Sequence, residues 1–558
     1  MREEAVGRRS VLAGGAAALT AGCVPCARLS PLPAGDTRLA IGDAHVHLFN
    51  AADLPVTGFF KNVVIPGDLG QVPEIGAAIL EIATRVLKFF SVTASDELHA
   101  MRAPLGSPIE DVTAEAFAGR IKGLADAAIA ERGFVRDSER DPRVDLGDSY
   151  YALAKILAAA QHGVPPGDTA TDRARFDAVA TIDLAFLASV ARDGAAAAPA
   201  DNLKSFAGGI DIGFVLSVIR WAFIMVQSRC SHVHRYLDDM ASGTTRTMSL
   251  VNLLVDYDAW LGDAPKTGSD MGAQVRFWSH YARAAAPRVA IHTFAGYDPL
   301  AHAEALIDGR PGYWETRLGW ALAGPQASQH VAGFKLYPPM GFNVAGNKPL
   351  PASGRACDIV RARWAAAGRD IARFADGLDR ALDIFFADCI AHDLPLLAHG
   401  RNSEESYPGA GQNAALHYWV DRAARIAPAP GAATLRAVIA HYSGWEYGWW
   451  TGLPRLLALN AAKRSRLYVD IAYCTELLKG EASAVALLDD IGRICATQPD
   501  GDQWVVFGSD WIMLAQQPHY KEYVARLDAA IAKSGYWNTP ERRQRLLGGN
   551  LETFLGRR

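Results

Sequence analysis

The segment Asp43-Ala44-His45-Val46-His47-Leu48-Phe49-Asn50 closes a short apolar run with two histidines one residue apart. On a β-strand, residues two apart point to the same side, so both imidazoles are aimed at one point where the strand ends. Neutral imidazole is a good ligand for zinc and its neighbours among the divalent ions. Many such pairs are accidental. Further candidates stand at the ends of later apolar runs: His399 after Pro395-Leu396-Leu397-Ala398, His441 after Val438-Ile439-Ala440, and Asp510 in Phe507-Gly508-Ser509-Asp510. Singly, each has an ordinary reading as a core or capping residue, and Asp510 could simply cap the next helix. Five of them, all at the C-terminal ends of their runs, make a metal-site candidate.

The elements that must position these residues follow a rhythm. After residue 245 a short apolar run, a polar or glycine-rich break and a helical stretch recur. The runs fall at 250–256, 288–294, 331–337, 394–399, 437–441, 467–471 and 504–510, and the strand at 41–48 makes eight. Near-continuous apolar strands alternating with helices predict a parallel sheet covered by helices. Eight such units predict an α/β fold of the (β/α)8 TIM-barrel type, whose site forms at the C-terminal strand ends.

The first two strands are separated by about 200 residues, too many for a loop. Ile75, Ile79, Ile82, Val86 and Phe89 recur at helical spacing, and alanine-rich helical stretches follow near 112–131, 149–161, 174–192 and 212–240. The expected organisation is an export leader over 1–30, barrel strand one over 38–50, a helical insertion over 51–245, and the rest of the barrel over 246–558.

With these segments in hand, the sequence resembles the amidohydrolase superfamily, in its branch of aminocarboxymuconate-semialdehyde-decarboxylase-like metal-dependent hydrolases. The resemblance is carried by Asp43 to His47, Gly333-Phe334-Lys335-Leu336-Tyr337-Pro338-Pro339, Pro395 to Gly400, Ile439-Ala440-His441, Phe507 to Asp510, and Gly549-Asn550 before Phe554-Leu555. It covers 41–49 and 248–556 and leaves the insertion unexplained. It implies one divalent metal, zinc first, held by His45, His47 and His399, with Asp510 as fourth ligand or base. Asp510 would accept the proton of the attacking water and pass it to the leaving group. His441 would contact the water or steady charge on the attacked carbonyl. Lys335 would face the pocket, either binding a substrate carboxylate or, if carbamylated, bridging a second metal. The expected chemistry is hydrolysis of a lactone, ester or amide, with nonoxidative decarboxylation as the alternative on the same fold. A noncatalytic binding protein with a degenerate barrel is the reading from another class.

Other residues qualify the picture. Arg401 and Asn402 follow His399 and could anchor an anionic substrate group, or Arg401 could pair on the surface. His292 ends the third strand and is expected to be a buried, satisfied histidine. His232-Val233-His234 repeats the HxH pattern on a helical stretch, where residues two apart do not face each other, and is read as a decoy. Trp445, Trp449, Trp450 and Trp511 could line an aromatic-friendly pocket or pack the top of the barrel.

Composition is that of a globular protein: 558 residues, half of them hydrophobic, 21% charged. A net charge of -4 gives no nucleic-acid footprint. Gly7-Arg8-Arg9-Ser10-Val11-Leu12 and the apolar run after it read as a twin-arginine export signal, predicting a periplasmic protein, or a lipid-anchored one if Cys23 in Thr20-Ala21-Gly22-Cys23 is acylated. The seven cysteines show no CxxC spacing after the leader and are expected to be mostly buried thiols. The 212–226 run is apolar but short and broken by Arg220, so no span is expected. The expected partners are a small-molecule substrate, carboxylate-bearing or aromatic, and a second copy of the chain as a homodimer; no nucleic acid is expected.

Overall fold

A computed structural model describes residues 29–30, 32–33, 35–59, 83–102, 111–134, 157, 160–161, 183–198, 212–258, 268–344, 346–350, 355–401, 416–426, 433–443 and 449–557. Eight parallel strands run in the order β1 to β8: β1 Leu39–Val46, β2 Thr245–Leu253, β3 Ala290–Tyr297, β4 Gly333–Leu336, β5 Leu396–Ala398, β6 Arg436–Ile439, β7 Arg466–Asp470 and β8 Val505–Val506. Only Val505 and Val506 pair in ladder fashion with β7. The extended chain beyond them closes the ring: Ala44 N donates to Phe507 O at 2.9 Å, Asp510 N donates to His45 O at 2.7 Å, and His47 N donates to Trp511 O. The fold is therefore the expected (β/α)8 barrel.

Inward-facing side chains fill the barrel, as a closed eight-stranded sheet requires. Val251, Leu253, Phe294, Leu397, Val438, Tyr468 and Val506 pack there with Leu551 and Phe554. The last two come from the C-terminal helix Asn550–Phe554, which plugs the N-terminal end of the barrel. The larger apolar cluster lies outside the strands, under the helices and the insertion.

Among the described residues, the segment between β1 and β2 is helical, with helices Ala94–Arg102, Ala114–Phe134, Leu184–Asp193, Ile212–Met225 and Arg229–Asp239. The 212–240 stretch is thus two helices. They break at Gln227-Ser228 because the Ser228 side chain accepts from Ser231 N and starts the second one. Residues 75, 79, 82 and most of 149–161 lie outside the described residues. No described helix is long and apolar enough to cross a membrane. Arg220, which interrupts the apolar run, is buried and donates to Ala515 O (3.0 Å) and Tyr520 Oη (2.6 Å). Trp221 Nε1 donates to Ile512 O (3.0 Å). These contacts seat the insertion on the loop that carries Asp510. A wholly buried ion triad ties its inner end: Arg229 pairs with Asp53, just after β1, and with Glu97 at 2.7 Å.

Candidate metal centre

His45 and His47 sit at the end of β1 with both rings buried. Each spends its Nδ1 on a fixed acceptor. His45 Nδ1 lies 2.9 Å from Asp470 Oδ2 at the end of β7, and His47 Nδ1 lies 2.9 Å from Leu253 O at the end of β2. Carboxylate and carbonyl oxygens only accept, so both rings carry their proton on Nδ1 and present a bare Nε2 lone pair. Both lone pairs face Asp510 Oδ1, at 3.5 Å each. Asp510 Oδ1 is buried and has no hydrogen-bond partner. Three donor atoms thus converge on one point, an arrangement that a cation relieves and that apolar packing would not maintain. The donor set of two imidazoles and one carboxylate suits zinc or a similar divalent ion.

The backbone is shaped to permit this. Asp510 and His441 both adopt the left-handed region, with φ of 59° each, unusual for residues with side chains and frequent at functional sites. Gly508 is needed for close approach, because a Cβ there would lie 2.9 Å from His45 Cβ and 3.0 Å from Ala472 Cβ. Asp43 anchors the turn from below. Its Oδ1 accepts from His45 N (2.9 Å) and Ser509 N (3.0 Å), and its Oδ2 accepts from Tyr236 of the insertion (2.9 Å). Burial raises the Asp43 carboxyl to about 7.

The remaining expected residues join the same cluster at different depths. Asp470 Oδ1 accepts from His441 N at 2.6 Å, and His441 Nδ1 faces Ala472 O at 3.0 Å. His441 is therefore also protonated on Nδ1, and its Nε2 accepts from His399 Nδ1 at 3.2 Å. That leaves His399 Nε2 as a buried lone pair without a partner. His399 packs against Tyr337, ring centroids 4.5 Å apart. Among the described residues, the compact ligand groups are His45, His47, Asp510 and His45, His441, Asp470; His399 stands one ring further out, reaching the group through His441. Lys335 on β4 is fully enclosed, with Nζ 3.5 Å from His45 Nε2. Arg401 is half-buried, its guanidinium 5.4 Å from the Tyr473 ring centre.

The electrostatics fit a cation. Burial, with Lys335 adding to it, holds His47 down to about 3 and His45 well below the usual histidine range. Burial likewise keeps His399 and His441 neutral. Burial pushes Asp510 well above the carboxylate range despite the pull of Lys335. It also draws the Lys335 amine down to about 8, against the opposing effect of Asp510 and Asp470.

Some expectations change. Asp470 is a site residue the motif reading passed over: it is the last but one residue of the 467–471 run, yet only the fold shows its carboxylate gripping His45. His292 does not end its strand but is the third residue of β3, and its Nε2 is unpartnered, not satisfied. Trp511 is fully buried, with Nε1 donating to Asp239 at 3.2 Å, so it packs against the insertion. His232 is buried on a helix, its Nε2 2.8 Å from Ile224 O, as a decoy should be. Cys389, Cys474 and Cys495 are buried free thiols, but Cys230 is disulfide-bonded, and a pairing between cysteines far apart in sequence leaves no trace in local spacing. Asn402, Trp445 and the side chains of Trp449 and Trp450 also lie outside them.

No family model matches the chain, and no curated protein sequence does. Among solved structures, the chain is similar to an amidohydrolase from Burkholderia multivorans, at 16% identity and a TM-score of 0.33, covering 58% of this chain and 88% of that one. A zinc-bound crystal form of a Burkholderia multivorans amidohydrolase gives 16% identity, a TM-score of 0.32, and coverage of 58% and 87%. A protein described as a metal-dependent hydrolase from Lactobacillus casei is similar at 13% identity and a TM-score of 0.33, over 80% of this chain and 93% of that one.

Proposed function

We propose that this protein is a metal-dependent hydrolase of the amidohydrolase type, acting on a lactone, ester or amide. One observation carries the reading: His45 Nε2 and His47 Nε2 converge on the unpartnered Asp510 Oδ1, each ring locked from behind. His45, His47 and Asp510 would hold one divalent ion, zinc first, and the bare Nε2 of His399 would complete the set. Such an ion supplies Lewis acidity and brings the pKa of a coordinated water toward neutrality.

The chain's own groups do the rest. Asp510 takes the proton of the attacking water and returns it to the leaving group, a task suited to a carboxyl whose burial makes both protonation states accessible. His399 and His441, hydrogen-bonded to each other, form the wall that meets the substrate's carbonyl oxygen. Lys335 and Arg401 offer positive charge to a substrate carboxylate.

That buried lysine beside His45 also favours a second reading, nonoxidative decarboxylation of a carboxylate-bearing substrate. The export expectation is retained as part of the proposal, and the disulfide at Cys230 supports an oxidising compartment.

The test is elemental analysis of protein purified without a histidine tag, followed by chelation and zinc add-back during turnover of an ester and lactone panel. About one zinc per chain, with activity lost on chelation and regained with zinc, is expected. Two metals per chain would assign Lys335 as a carbamylated bridge. Release of CO2 in place of hydrolysis products would select the decarboxylase. No metal after reconstitution would overturn both in favour of a noncatalytic barrel.

A further inference from the structure

The N-terminal face of the barrel, remote from the metal centre, holds a cavity of about 420 Å³. It lies where the chain leads into β3 and β4 and where the C-terminal segment ends, between the helix Met271–Ala285, the 325–332 segment and Leu555 to Arg557. Phe294, the next inward residue along β3 after His292, belongs to the barrel packing that separates it from the metal site. Its volume is within the range that holds small organic ligands.

Three buried polar atoms on its lining residues have no hydrogen-bond partner: Trp278 Nε1, His292 Nε2 and Thr293 Oγ1. Trp278 is fully buried, and His292 and Thr293 are 7% and 5% exposed. Orphans of this kind are costly and uncommon, and three around one cavity point to a missing partner rather than to three separate accidents.

The charge around them has one sign. Among the described residues, Arg283 and Arg557 line the cavity and no aspartate or glutamate does. Arg283 donates to the Pro325 and Ala327 carbonyls. Among the described residues neither guanidinium forms a salt bridge with a carboxylate. His330 also lines the cavity, and Arg557 and His330 both add to the burial that holds His292 neutral. The Trp278 indole and Leu555 supply apolar wall.

We propose that this cavity is a binding site for a small organic anion, with Arg283 and Arg557 engaging an oxyanion headgroup, and Trp278, Thr293 and His292 completing its hydrogen bonds. The apolar wall takes the body of the ligand. The site is independent of the metal chemistry, and on a barrel face that carries no strand C-termini its ligand is an effector or stabiliser, not the substrate.

Benzoate and inorganic phosphate are the probes, titrated into the full-length, metal-loaded protein and followed by thermal shift and calorimetry at constant ionic strength. Benzoate is expected to raise Tm saturably; phosphate doing so more strongly would assign the headgroup as phosphate. The double variant Arg283→Met/Arg557→Met should weaken the apparent Kd at least about tenfold, because it removes both charge-assisted hydrogen-bond donors to the headgroup. Thr293→Val guards against a folding artefact. Removing an unsatisfied buried hydroxyl should leave the ligand-free Tm unchanged or higher, while the ligand-induced rise shrinks. A rise that persists in full in the double variant would place the anion elsewhere, the metal centre included, and overturn the proposal. So would a rise that sodium chloride reproduces, or the absence of any saturable rise with either probe.

Discussion

Asp470→Asn is the sharpest probe of the metal centre, because it changes no shape and almost no volume. In the native protein Asp470 Oδ2 accepts from His45 Nδ1 at 2.9 Å, and Oδ1 accepts from His441 N at 2.6 Å and Ala472 N at 3.0 Å. An asparagine can keep its oxygen on the two backbone amides, but it must then turn its NH2 toward His45 Nδ1. Two donors cannot face each other, so His45 is driven to the other tautomer, with its proton on Nε2. That proton occupies the lone pair aimed at Asp510 Oδ1. Loss of such an orienting partner ordinarily costs 10–100-fold in metal affinity, about 1.4–2.8 kcal/mol at a factor of ten per 1.4 kcal/mol. The assay is zinc equilibrium dialysis against a competing chelator, with far-UV circular dichroism to confirm an intact fold. A zinc Kd within twofold of the parent protein's in a folded variant would refute both the tautomer argument and the place of His45 among the ligands.

Three further outcomes follow from the same geometry. Gly508→Ala sets a methyl group 2.9 Å from His45 Cβ and 3.0 Å from Ala472 Cβ, neither of which is a flexible chain end; zinc content per chain should fall well below that of the parent protein while the barrel persists. Arg229→Met strands Asp53 and Glu97, both buried, and breaking a buried ion pair from one side should destabilise by about 3–5 kcal/mol in urea unfolding; a loss under 1 kcal/mol would show the triad to be solvated. His292 is held down to about 3, by burial first, from a usual value near 6.5. Between those values the unfolded chain takes up a proton that the native state refuses, so its contribution is full above pH 6.5 and is lost as pH falls toward 3. Unfolding free energies of His292→Gln from urea titrations should therefore fall less steeply than the parent's below pH 6.5, by up to about 1.4 kcal/mol per pH unit; parallel profiles would contradict a neutral buried His292.

Local sequence pattern set the parts and their order. Alternation of β-branched runs with helical stretches is a local property, and it set all eight strands and the barrel class, with errors only at strand ends: the eighth run, read over 504–510, is a ladder of two residues followed by the chain that closes the ring. The HxH pair, His399, His441 and Asp510 could be singled out for the same reason, since each stands at or near the end of an apolar run, whereas Lys335 lies within one and was pointed to by the resemblance. Tertiary structure decided how those parts meet. Asp470 looks like any strand-end aspartate until the ring closes and brings β7 beside β1, and no spacing rule covers 425 residues. The two-helix break at Ser228, the burial of Trp511 under the insertion and the bond at Cys230 were hidden for the same reason. His292 was misplaced because a periodic run shows that a strand exists but not where it stops. Three residues' difference in that boundary moves a histidine from the C-terminal rim of the barrel to its opposite end.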